Sequence, residues 1–202
     1  MSKLFAAFLL LVVLVVPGNS FADADGAKNY VLGVSDKVIS VIKNKGSESE
    51  KEAQLTSIFQ NTVDTEWMGT FVMGKNYRSM TPAQKSRYTE LYKKFLTKSY
   101  VPKFRSYAGE ELKILEVKSK GDGEYIVYTE LKAKSADVPA VKVDYRVTGK
   151  NGGYKVIDVI GEGVSLITTQ RSDFSGLISQ QGVDYFLDKL DEKVKKTSAA
   201  KK

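Results

Sequence analysis

At about Leu112 the spacing of apolar residues changes from helical to alternating. That switch restricts the chain to a helical half followed by an antiparallel sheet, because a helix and a strand present their apolar faces at different periods. Upstream, Val31, Val34, Val38, Val41 and Ile42 mark a first amphipathic helix from Lys28 to Asn44, stopped by Gly46. Ser49 and Glu52 have capping-box spacing ahead of Leu55, Ile58 and Phe59, which predicts a second. Asp64 caps a third, with Trp67, Met68, Phe71 and Val72, ending near Gly74. Thr81, Pro82 and Gln84 then open a long helix. Along it Tyr88, Leu91, Tyr92, Phe95, Leu96 and Ser99 share one stripe, opposite the wet face of Lys85, Arg87, Glu90, Lys93, Lys94 and Lys98. Pro102 is expected to end it.

Downstream, Leu112 to Lys118 and Glu124 to Lys134 read as strands joined by a tight turn at Gly121, Asp122 and Gly123. Val141, Val143, Tyr145 and Val147 alternate with Lys142, Asp144, Arg146 and Thr148, the pattern of a strand with one wet face. Asn151 and Gly152 suit a hairpin into Tyr154 to Ile160, and Val164 to Ile167 can extend the sheet. Short helices around Phe174 to Ile178 and Val183 to Leu190 close the chain. The expected class is α+β: a helical N-terminal half packed on a curved antiparallel sheet of about four strands. Periodicity leaves open whether that sheet closes on a dry core or keeps a cavity.

Residues 1–22 have the order of a secretory signal: Lys3, an apolar run from Leu4 to Val16, then small residues at Ser20 and Ala22. The run is shorter than the roughly 20 residues that span hydrocarbon, so cleavage after Ala22 and export are expected rather than anchoring. No cysteine stands after the run to carry a lipid. The expected division is a leader over 1–22, one domain over 23–191, and a disordered Lys/Ala-rich tail over 192–202. The formal charge is +7, and Lys3 is the leader's one charged residue, so the mature chain carries +6. That balance favours anionic surfaces, although the C-terminal lysines also suit a merely solvated tail. Export makes nucleic acid an unexpected partner, and the mature protein is expected to be a monomer.

The chain has no histidine and no cysteine. This removes His-assisted serine catalysis, thiol nucleophiles and nearly all zinc or transition-metal sites, and the fold must hold without disulfides. A carboxylate-dependent hydrolase remains conceivable through Asp158, Glu162 and Ser165, but Ser165 lacks the glycine of a nucleophile elbow, and Asp158 suits a structural partner better. No glycine-rich phosphate loop opens a helix. Neither cofactor nor metal is expected. Large apolar and aromatic residues remain, and taken alone they read as core.

A family pattern runs through the sequence from Asp64 to Leu190. The matching residues are dispersed but ordered: Asp64 and Met68; Gly74, Tyr77 and Arg78; Thr81, Pro82, Ala83 and Gln84; Phe95, Leu96 and Tyr100; Tyr107 and Gly109; Tyr145 and Arg146. Tyr154, Lys155, Val156 and Asp158 follow, then Glu162, Gly163, Val164, Ser165 and Leu166, with Arg171, Phe174 and Gly182 last. Over this span the chain resembles the MlaC family, the toluene-tolerance auxiliary proteins of the Mla phospholipid-transport system, with Tyr77 and Tyr154 standing where the family often has Trp.

The resemblance implies an NTF2-like cone with an apolar cavity for acyl tails, a periplasmic carrier rather than an enzyme, and two docking partners. These are an MCE-domain ABC transporter complex at the inner membrane and a lipoprotein and porin complex at the outer membrane. A hopanoid or other terpenoid ligand is the alternative within the same class. Two tails of on the order of 15 carbons cost roughly 20 kcal/mol to expose to water, at about 0.8 kcal/mol per methylene, so a shuttle must offer a dry lining instead. On the implied fold that lining draws on Trp67, Phe71 and Val72, on Leu91, Phe95 and Leu96, and on Val127, Val143, Tyr145, Val147, Val156 and Val164, each of which could equally be solid core. Arg146, Lys155 and Arg171 are candidates for headgroup or partner contact, or for ordinary salt bridges.

Overall fold

A computed structural model describes residues 23–105, 110–133, 137–150 and 153–199. Residues 1–22, expected to be a leader, together with Tyr107, Gly109, Lys134, the expected hairpin residues Asn151 and Gly152, and residues 200–202, lie outside the described residues. The order is α1 (Ala24–Lys43), α2 (Glu48–Thr62), α3 (Thr65–Met73), α4 (Lys75–Ser79), α5 (Pro82–Arg105), β1 (Glu111–Gly121), β2 (Glu124–Lys132), β3 (Val141–Thr148), β4 (Lys155–Gly161), β5 (Val164–Ser165), α6 (Leu166–Gln181) and α7 (Val183–Ala199). The sheet is an antiparallel meander, β1-β2-β3-β4-β5, so the expected four strands gain a fifth of two residues.

Register decides which side chains share a face. Tyr125 pairs with Val147, Val127 with Tyr145, Tyr145 with Val159, and Val147 with Val156 across a bulge. All of them point to one side, which α1 covers with Ala27 and Val31. The opposite side carries Ile126, Arg146 and Asp158 in register. The start of α1 is pinned by Tyr154, whose hydroxyl accepts from Asp23 N (2.8 Å) and donates to Asp23 O (3.1 Å). A Cβ on Gly26 would sit 2.0 Å from that hydroxyl, so the contact requires glycine there.

The helices form their own aromatic body. Tyr88, Tyr92, Leu91, Phe95 and Leu96 of α5 are buried as the stripe predicts, against Phe186 of α7 and the half-buried Phe174 of α6. Phe174 and Phe186 lie 4.7 Å apart between ring centroids. Burial raises both tyrosine hydroxyls well above their ordinary range, and each has a partner: Tyr88 donates to Gly69 O at 3.0 Å, Tyr92 to Gln170 Oε1 at 2.6 Å.

Several predicted boundaries shift. The α2 capping box is Ser47 with Glu50, two residues early, with Ser47 Oγ accepting from Glu50 N and the Glu50 carboxylate accepting from Ser47 N. Leu55, Phe59 and Thr62 form the buried side of this helix. Pro102 lies inside α5, because Val101 is buried and Phe104 packs 6.5 Å from the Phe59 ring, and that packing outweighs one missing amide. The segment from Glu192 is helical as far as Ala199 rather than a disordered tail: Val194 is buried, and Lys195 pairs with Asp191 at 2.7 Å one turn back. Helices α6 and α7 are correspondingly longer than the short ones expected.

Candidate functional site

The apolar residues divide into two clusters rather than lining one hollow. Val72, Leu91, Phe95 and Leu96 are buried in the helical cluster, with Trp67 and Phe71 half-buried against it. Val127, Val147 and Val156 are buried in the sheet cluster under α1, with Tyr145 half-buried beside them. Burial, with the Asp144 carboxylate adding to it, pushes the Tyr145 hydroxyl up to about 12. Val143 is half-buried and outside both clusters. Val164 is 62% exposed and belongs to neither cluster. The reason is local: Glu162 and Gly163 turn with positive φ (48° and 81°), and β5 is too short to bring Val164 under a helix.

One residue, Val63, packs against both clusters among the described residues. It sits at the α2–α3 junction, bridged to Val156, and the next amide, Asp64 N, donates to Val156 O at 2.9 Å. The two apolar bodies therefore meet at a seam along β4. Lys155, a predicted headgroup contact, is tied in here: its Nζ donates to Asn61 O at the end of α2.

Four other predicted residues come together at this boundary. The Arg146 guanidinium lies 5.6 Å over the Trp67 ring, Trp67 stacks on Phe71 at 5.3 Å and 14°, and the Arg171 guanidinium lies 5.0 Å from the Phe71 ring. Trp67 and Phe71 are one turn apart on α3, which is why they stack. Arg146 reaches them from β3 and Arg171 from α6. A Cβ at Gly74 would lie 2.9 Å from Arg171 Nη2, so that glycine, with φ 53° at the end of α3, also leaves the arginine room. The result is a cation–aromatic–aromatic–cation stack at the rim of the helical body. Glu124 holds Arg146 through Nε (3.1 Å) and Nη2 (2.5 Å), whereas Arg171 forms no salt bridge among the described residues.

Beside Arg146 a cleft of about 400 Å³ opens on the outer face of the sheet, lined by Lys120, Glu124, Ile126, Asp158, Ile160, Ser165 and Thr168. A groove of about 380 Å³ runs between α1 and α2. Sequence reasoning named neither, because both depend on how elements are spaced rather than on any one residue pattern.

The three residues of the hydrolase alternative all serve local structure. Asp158 is 3% exposed and accepts from Ser165 Oγ at 2.6 Å and Ile167 N at 3.2 Å. Ser165 in turn accepts from Thr168 N as the N-cap of α6, and Glu162 accepts from Lys142 N at 2.7 Å. Asp158 thus fastens the first turn of α6 to β4. Asp158→Asn is expected to lower stability by about 2 kcal/mol, since one of two acceptors to a buried donor is lost, and hence to lower Tm by roughly 4–8 °C in thermal unfolding. An unchanged Tm would show that the fastening is idle.

The family profile described as MlaC protein matches residues 33–192. The chain is 24% identical over 172 residues, 81% of its own length and 80% of the relative's, to the intermembrane phospholipid transport system binding protein MlaC of Haemophilus influenzae. A solved structure of a phospholipid-binding protein from Ralstonia solanacearum, in complex with a phospholipid, superposes with a TM-score of 0.74 at 21% identity, covering 85% of this chain and 98% of that one. Its α+β arrangement of helices on an antiparallel sheet is the same fold. With the profile spanning well over half the sequence, the chain belongs to the MlaC family.

Proposed function

We propose that this protein is a periplasmic phospholipid carrier, binding acyl tails along the seam between its helical and sheet clusters and shuttling lipid between a lipoprotein and porin complex at the outer membrane and an MCE-domain ABC transporter at the inner membrane. Family membership across the domain carries this reading. The relative's name and the phospholipid bound by the structural neighbour support the ligand class. The physical logic is that tail burial is non-directional, so a chain without histidine or cysteine loses nothing as a carrier. Two apolar bodies that share only Val63 among the described residues can part around hydrocarbon, exchanging protein contacts for tail contacts of similar quality. Trp67 and Phe71, half-buried at the boundary, would flank the tails. Arg171 is the better placed of the two arginines for a headgroup phosphate, because Arg146 is already matched by Glu124.

A native mass spectrum of the chain over 23–202, purified without detergent, is the direct test. The expected result is a population heavier than the bare chain by the mass of one or more phospholipids, released as phospholipid on collisional activation. Adducts with hopanoid or terpenoid masses would transfer the reading to that ligand. A bare chain that also fails to take up phospholipid from vesicles would overturn it.

A further inference from the structure

The charge of this protein is concentrated on one helix. Helix α5 carries seven basic residues against Glu90 alone, a net of +6. The chain without its leader also carries +6, so everything outside α5 sums to zero. The partner helix α7 does not offset the surplus, since its four acidic and four basic residues cancel. Ion pairing tempers it, as where Arg87 meets Asp188 (2.7 Å) and Lys94 meets Glu90 (2.5 Å), but that lysine and that arginine remain about half exposed. The buried stripe of α5 faces the aromatic core, and Arg87, Lys93 and Lys94 lie on the side turned to solvent. Lys85 and Lys103 extend the basic character toward the two ends, each resting over a tyrosine ring, Tyr77 and Tyr100.

From this we infer that the solvent face of α5 is a docking surface for an anionic phospholipid bilayer, holding the protein against the membrane while lipid is exchanged. The inference rests on the carrier reading for its purpose but not for its test. Charge complementarity selects the partner class, and the residue type selects a bilayer over an acidic protein. Five of the seven cations are lysines. A lysine is a hydrated point charge on a flexible stem and suits a diffuse, fluid field of phosphates, whereas a built carboxylate site favours the rigid fork of arginine.

The test is flotation of the chain over 23–202 with vesicles of phosphatidylcholine alone or mixed with phosphatidylglycerol. Binding is expected to the mixed vesicles only, and to fade as salt shortens the screening length from about 10 Å at 0.1 M to about 3 Å at 1 M. The triple variant Lys85→Gln, Lys93→Gln, Lys94→Gln should bind on the order of 100-fold less, at the usual contribution of a surface lysine. A second triple, Lys43→Gln, Lys45→Gln, Lys132→Gln, removes the same charge from exposed positions elsewhere and should bind nearly as the parent does. Equal losses in the two triples would reduce the effect to net charge and overturn the inference. Indifference of the parent chain to phosphatidylglycerol would overturn it too and leave the face to an acidic protein. Both triples should keep their copurified phospholipid in native mass spectra and their helical circular dichroism. Loss of the lipid from the α5 triple would place these lysines in ligand binding rather than docking, which also overturns it.

Discussion

Val147→Glu is expected to lower the free energy of unfolding by about 4 kcal/mol or more, while Val164→Glu changes it by less than about 0.5 kcal/mol. Both valines follow the alternating pattern of the sheet, and both read from the sequence as candidates for one lining. Val147 is fully buried between Tyr125 on β2 and Val156 on β4, beneath the α1 face of Ala27 and Val31. A carboxylate there is surrounded by apolar side chains and must be protonated or drag water in. Val164 is 62% exposed on a two-residue strand, where a glutamate is simply hydrated. Since a domain of this kind is stable by only about 5–15 kcal/mol, the first variant should show a much lower urea midpoint or accumulate as insoluble protein, and the second should match the parent. A soluble Val147→Glu protein with an unaltered midpoint would mean that the sheet cluster is not packed as described.

The second large effect concerns ligand rather than fold. Trp67→Ala combined with Phe71→Ala should reduce phospholipid retention on the order of 100-fold, from roughly 2–3 kcal/mol of lost apolar contact by two half-buried rings. Stability should fall less than for a fully buried pair, because both rings stand at the rim of the helical cluster rather than inside it. Arg171→Gln is the companion variant: it keeps the aromatic pair but removes the cation over Phe71, and should weaken headgroup contact by about tenfold or less. Retention is read by quantifying lipid extracted from equal amounts of folded protein. Full retention by the double alanine variant would show that the tails do not run along α3.

Much of the architecture could be read from side-chain spacing. The cap at Asp64, the box of Thr81 and Gln84, and the turn at Gly121 to Gly123 are local devices, and the structure realises each through neighbours a few residues away. Errors arose where packing competed with a local rule. Pro102 stays helical because Val101 and Phe104 are held by the core, and the last turns of α7 persist because Val194 reaches the same core. The capping box of α2 fell two residues early because two overlapping Ser/Glu pairs offer the same spacing, and the reciprocal bonds form at Ser47 and Glu50.

The candidate site was legible only in part. Trp67, Phe71, Arg146 and Arg171 emerged as separate candidates, and nothing in their sequence positions, spread over about a hundred residues, announces that they stack in one column. Lys155 and Val164 looked equally suitable, yet one is tied to Asn61 and the other faces water.

The sequence by itself determined the succession of helices and strands, the apolar face of each, and the absence of the nucleophiles and metal ligands that many enzymes need. These are properties of neighbouring residues and of composition. Only the tertiary structure decided that the apolar faces form two bodies joined at Val63 instead of one, and which valines they enclose. The physical reason is that a side chain's burial depends on what another part of the chain brings opposite it, and strand register, a bulge between β3 and β4, the approach of α1 to β1, β2 and β3, and that of α3 to β4 are all long-range choices.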